Sequence, residues 1–157
     1  MVEVVLATAT VGVMTVGALS VAVSAAKERT VSASRARATN LAQSMLDEVL
    51  SVPASAGSVS NDGDGTPVAP TRAAFDELAD YDGWTATPPK DRAGTSVPGA
   101  DAYTRAVAVT EVSGANPAGP GVAGTGVFRV EVTVLRGGIE VMTMTAVRTA
   151  AYDEADS

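Results

Sequence analysis

The sequence predicts an α+β fold: a long N-terminal helix, its first half transmembrane, packed on a small antiparallel β-sheet of about three strands. Three observations predict it. No residue from Val4 to Ala26 carries a charge. From Val31 to Val49 the apolar residues recur at helical spacing. Beyond Tyr103, three β-rich runs are set off by Gly- and Pro-bearing segments.

Residues 1–26 form the first expected element. At about 1.5 Å per residue a helix over the uncharged run reaches roughly 35 Å, enough for a hydrocarbon core of about 30 Å. The run is rich in small residues rather than Leu; Gly12, Gly17, Ala18 and Ala22 would let neighbouring helices approach closely. Glu3 stands at its edge. A carboxylate there is favoured by the N-terminal helix dipole, by about 0.3–1 kcal/mol, but is costly inside hydrocarbon unless paired. It reads as an interfacial residue or as an assembly residue that meets a neighbour's positive charge. A cleaved secretory signal is the rival for this stretch, although such a signal starts basic and has a shorter apolar core.

Residues 27–52 are the expected amphipathic half of the same helix. Val31, Ala38, Leu41, Ala42, Met45 and Val49 make its apolar side, and Pro53 stops it. The second half therefore wants a sheet to lie on.

Residues 53–101 read as loop-rich, with a short helix near 72–79 capped by Thr71 and showing Phe75 and Leu78. Asp62 and Asp64 sit in an Asn-Asp-Gly-Asp-Gly turn, and Asp80 and Asp82 in a second acidic turn. Both suit ordinary turns, and both suit a calcium site, although a twelve-residue calcium loop is not completed. Trp84 is expected to pack that turn onto the head, with a surface ligand-binding role as the alternative, and Thr85 to Ala100 to be extended loop.

Residues 102–150 supply the sheet: Tyr103 to Val112, Val127 to Leu135 and Ile139 to Thr149, the last two joined across Gly137 and Gly138. A regular hairpin puts Val134 opposite Val141, Val132 opposite Thr143, Val130 opposite Thr145 and Phe128 opposite Val147. That face is expected to rest on Val31, Leu41, Met45 and Val49, with Arg129, Glu131, Thr133, Met142 and Met144 on the other. The Gly- and Pro-rich connection from Gly114 to Gly126 reads as mobile. Residues 151–157 read as a solvated acidic tail.

The opening Val-Glu-Val-Val-Leu-Ala and the uncharged run behind it resemble the N-terminal methylation segment of type IV pilins and type II secretion pseudopilins. Asn40 to Leu50 is similar to the end of the long helix in minor members of that family. Phe75 to Trp84 resembles an acidic loop in D-type minor pilins of mannose-sensitive hemagglutinin pili. The resemblance implies a structural subunit that assembles with other pilin or pseudopilin subunits through its N-terminal helix. Glu3 and Gly12 would be its assembly residues. It implies a leader upstream of Met1 for a prepilin peptidase; the family's Gly, Phe and Thr before the glutamate do not stand before Glu3. It also implies a single-pass inner-membrane protein with an extracytoplasmic head, later drawn into a filament. The alternatives are a membrane-anchored extracytoplasmic binding domain, calcium-dependent or not, and a secreted protein with a cleaved signal.

Composition bounds the chemistry. The chain has neither Cys nor His, which removes thiolate chemistry, the usual zinc ligands and the commonest general base. A net charge of −7 argues against nucleic acid as a partner. No phosphate loop and no paired general acid and base stand out, so the expectation is no enzyme and no cofactor, calcium excepted.

Overall fold

A computed structural model describes residues 2–54, 72–75 and 77–150, with side chains in the long helix described at Ala25 and from Lys27 on. The chain divides into two units, Met1–Arg37 and Ala38–Ser157. Helix α1 is Val2–Leu50, 49 residues. Its side chains from Lys27 to Thr30 are exposed, and Val31, which the spacing placed among the buried apolar positions, is 52 % exposed.

The single-pass inner-membrane anchor expected of residues 1–26 is corrected here. Among the described residues no helix is long and apolar enough to cross a membrane. The described side chains of α1, Ala25 and those from Lys27 on, include Lys27, Glu28, Arg29, Arg35 and Arg37, so that part of the helix is not an apolar span.

In the second unit the last turns of α1 bury Ala38, Leu41, Ala42, Met45 and Val49. Ala38, Ala42, Met45 and Val49 lie three or four apart, with Leu41 beside them, on one side of a 3.6-residue helix. Burial of Leu41, Met45 and Val49 is worth about 1.5–3 kcal/mol each. They share one core with Val107 and Val109 of the sheet and with Phe128, Val130, Val132 and Val134.

The expected small sheet of about three strands is also corrected. Five strands are present: β1 (Thr85–Ala86), β2 (Tyr103–Ser113), β3 (Asn116–Gly121), β4 (Val127–Arg136) and β5 (Ile139–Thr149). All pairings are antiparallel, in the order β1-β2-β4-β5, with β3 paired to β2 off this path. The sheet is thus a larger share of the fold than a three-stranded α+β head. Both added strands lie in segments that composition marks as loop. β3 carries Pro117 and Pro120, which cannot donate to a ladder. Side chains from elsewhere hold this region instead. Arg129 donates to the carbonyls of Pro117 (3.2 Å) and Gly119 (2.8 Å) while pairing with Glu131 at 3.2 Å. Glu111 accepts the N–H groups of Thr125 (2.6 Å) and Gly126 (2.7 Å), and these bonds, Gly126 first, hold its carboxyl below its usual pKa.

Between β4 and β5 the structure differs from the regular hairpin by one residue. Gly137 and Gly138 both have positive φ, 58° and 81°, as a two-residue turn matched to strand twist requires. Arg136 pairs with Ile139 and Leu135 with Glu140, but Val134 then pairs with Met142, so Val141 is an extra residue. That bulge reverses the faces of the rest of β5, because side chains alternate with period two. Val132 faces Met144, Val130 faces Ala146 and Phe128 faces Arg148. Met142 and Met144 therefore pack on the core, while Val147 is 48 % exposed. The short helix expected near 72–79 is two 3₁₀ turns, Arg72–Ala74 and Leu78–Tyr81.

The bulged register makes adjacent residues inequivalent. Met144→Lys is expected to lower stability to urea by about 2 kcal/mol or more, and Thr145→Lys by less than about 0.5 kcal/mol. The reverse order in equilibrium unfolding would reject the register.

Candidate functional site

Strand β2 alternates with its odd-numbered residues inward: Tyr103, Arg105, Val107 and Val109 are buried. Arg105 thus brings a guanidinium into a position that the pattern reserves for an apolar side chain. It is 3 % exposed, as is Arg72 from the first 3₁₀ turn. The two share an acceptor, since Arg72 Nη2 and Arg105 Nη2 both donate to the carbonyl of Lys90. Arg105 Nη1 also donates to the Leu41 carbonyl and to Ser44 Oγ, each at 3.3 Å, which ties the sheet to the last turns of α1. Arg105 Nε is buried and meets no hydrogen-bond acceptor.

The counter-charge comes from the helix. Glu48 Oε2 lies 3.3 Å from Arg72 Nη1, and Glu48 Oε1 accepts the Tyr81 hydroxyl at 3.2 Å. Trp84 forms a platform beside the pair: the guanidinium carbon of Arg72 is 4.4 Å, and that of Arg105 5.8 Å, from its ring centroid. Such placement adds about 0.5–2 kcal/mol per cation–π contact. Phe75 meets the Tyr81 ring edge-on, at 5.0 Å and 83°.

Backbone geometry sets Trp84. Gly83 has φ of +72°, a conformation that L side chains rarely adopt, and turns the chain from Tyr81 into β1. Its N–H donates to the Val107 carbonyl at 3.1 Å, and the Val107 N–H donates back to the Trp84 carbonyl at 2.9 Å. Beyond Trp84 opens a groove of about 480 Å³, walled by Arg72, Trp84, Thr85, Thr87, Lys90 and Asp91 among others.

The electrostatics follow from one carboxylate serving two buried cations. Burial, and then the charge of Arg72, bring the Arg105 pKa down to about 10. Burial also lowers that of Arg72, with Glu48 opposing. Tyr81 is pushed up to about 12, first by burial and then by the charge and hydrogen bond of Glu48. The groove thus has an aromatic wall, Trp84, flanked by Arg72, Lys90 and Asp91, with Arg72 already paired to Glu48.

The residues singled out in the sequence lie elsewhere or serve other ends. Glu3 and Gly12 belong to α1, and their surroundings lie outside what the structure describes of that helix. Asp62 and Asp64 lie outside the described residues altogether. Asp80 Oδ2 accepts the Glu77 N–H at 3.1 Å, and Asp82 Oδ1 accepts the Val109 N–H at 2.9 Å. Among the described residues no group of three or more acidic side chains stands where it could hold a metal ion. Sequence reasoning passed over Glu48, Arg72 and Arg105. Arg105 was within reach of it, as a charge on the inward register of a strand.

Glu48→Ala leaves two buried guanidinium groups without their carboxylate and is expected to cost about 3 kcal/mol in chemical denaturation. Tyr81→Phe is expected to cost about 1–2 kcal/mol at pH 7, through the lost hydrogen bond to Glu48. In the fold Tyr81 keeps its proton up to about pH 12, whereas the unfolded chain loses it near about pH 10. Between those values the native protein binds the extra proton, so wild-type stability falls relative to Tyr81→Phe and the difference narrows as pH rises. A difference that stays constant across this window would contradict the assigned environment of Tyr81. Comparison of the chain with protein-family models, with curated proteins and with solved structures finds no match.

Proposed function

We propose that the chain is a non-catalytic structural subunit of a type IV pilin-like or pseudopilin filament, joined to its neighbours through α1. The observation that carries this reading is the continuity of α1 from Val2 to Leu50, with Glu3 in its first turn. A helix that leaves its first residues for contact with other helices, and seats its last turns in a β-rich head, can serve both assembly and display. The resemblance of the opening segment to the pilin methylation segment supports the same reading. So does the lack of His and Cys, which leaves few groups suited to turnover at neutral pH.

In this reading Glu3 attracts the terminal amine of the adjacent subunit and sets the stagger between helices. Small residues such as Gly12 allow the close approach that such a contact needs. The polar cluster around Glu48 keeps the end of α1 and the sheet in one arrangement.

Glu3→Ala is the direct test. Incorporation into filaments sheared from cells that carry the companion subunits is expected to fall about tenfold or more, the equivalent of about 1.4 kcal/mol per interface. Incorporation at the wild-type level would reject the role given to Glu3.

A further inference from the structure

The two sides of the sheet end differently. On the side of β2 away from β4 lie β1, two residues long, and β3, which carries Pro117 and Pro120. Short strands and prolines blunt an edge against pairing with another chain. The other side ends in β5, eleven residues without Gly or Pro. Ile139, Val141, Thr143, Thr145, Val147 and Thr149 are β-branched, the type that favours strands. A bulge can turn an edge away from partners, but the one at Val141 lies beside the hairpin turn, and from Met142 to Thr149 the pairing with β4 is unbroken. Alternate residues of that run point their N–H and C=O groups away from β4, and among the described residues no strand pairs with that edge.

We propose that β5 pairs antiparallel with β5 of a second copy of the chain, so that two heads share one continuous sheet. Charge selects both the partner and the direction. Glu140 and Arg148, near opposite ends, are the charged residues of β5, so the strand is neutral within a chain of net charge −7. Copies that repel elsewhere can approach there. Antiparallel pairing sets the Glu140 end of each strand beside the Arg148 end of the other, whereas parallel pairing would bring like charges together. Other segments of the same chain are poorer strands for this edge. Residues 55–71 contain Gly57, Gly63, Gly65, Pro67 and Pro70, and residues 151–157 contain Asp153, Glu154 and Asp156. Residues opposite each other share a face, so a two-fold axis at Thr145 sets Thr145 against its own counterpart, Thr143 against Val147 and Met144 against Ala146. Thr143, Thr145 and Val147 are exposed in the single chain, and the pairing would cover them against one another. Identical patches meet, so the contact is isologous and closes at two copies. It uses the unit Ala38–Ser157 alone and goes beyond the filament reading, which rests on α1.

The chain has no Cys, so one introduced thiol reports one contact. Across the two-fold axis the Cα atoms of residue 145 are about 4.5–5.5 Å apart, within the span of a disulfide. The full chain is oxidised mildly as Thr145→Cys and as Ala108→Cys, the latter an exposed position of β2, two strands in from the edge. A disulfide-linked dimer is expected from Thr145→Cys at least about tenfold faster than from Ala108→Cys, because pairing raises the local thiol concentration. Thr145→Lys sets two ammonium groups against each other across the axis. In sedimentation equilibrium it is expected to weaken dimerisation at least about tenfold, and Ala108→Lys less than about twofold. Equal cross-linking at both positions, or undiminished association of Thr145→Lys, would overturn the proposal. So would a Thr145→Cys chain that stays monomeric, the outcome if another segment of the same chain occupies the edge. Contacts through α1 act alike on the variants at 145 and 108, so this result and the incorporation of Glu3→Ala into filaments fail separately.

Discussion

The architecture of the head depends on one carboxylate. Glu48 leaves the last turns of α1 and meets Arg72 from the first 3₁₀ turn and Tyr81 from the second. Arg105, from the middle of β2, completes the group through the Leu41 carbonyl and Ser44. A buried cluster of this kind adds little net stability, because desolvation of the charges offsets most of their attraction. What it supplies is choice of arrangement. An apolar face of Ala38, Leu41, Ala42, Met45 and Val49 could slide along the sheet by a turn at modest cost. A slide would strip Glu48 from Arg72 and leave two guanidinium groups buried together. The hydrophobic contacts hold helix and sheet together, and the polar cluster selects which contacts they are.

Parts of this were legible in the sequence, and the failures have physical causes. The amphipathic end of α1 was readable, since small and large apolar residues recur there with charged residues between them. The Gly137–Gly138 hairpin was readable for the same kind of reason, because only a positive-φ pair closes so short a turn. Register was not. In β5 both alternating sets, Val141, Thr143, Thr145 and Val147 against Met142, Met144 and Ala146, are plausible core faces. The bulge at Val141 settles the matter through pairing with β4. β3 was hidden because its prolines and glycines oppose a strand locally; Arg129, a long-range donor, supplies what the backbone lacks.

The candidate site shows the same split between local and distant information. An acid beside a Gly turn carries one signature whether it binds a cation or caps a backbone N–H, so Asp80 and Asp82 could be read either way. Only the fold reveals that each accepts a backbone hydrogen bond. Arg105 is the opposite case. Its inward position in β2 follows from alternation alone, and an inward charge demands a partner. What no local pattern gives is the partner's identity, because Glu48 lies 57 positions earlier and Arg72 33 positions earlier in the chain.

Charge distribution bears on the same cluster. With a net charge of −7 the chain carries a diffuse field that repels like molecules. Within the fold, by contrast, Glu48 concentrates its charge on Arg72, and Arg72 and Arg105 lie over the ring of Trp84, which also walls the groove. Because Arg72 is buried and donates to the Lys90 carbonyl, its place in the groove wall is set by the same contacts that seat the helix end on the sheet. A change at Glu48 would therefore be felt at Trp84 as well as at the helix end.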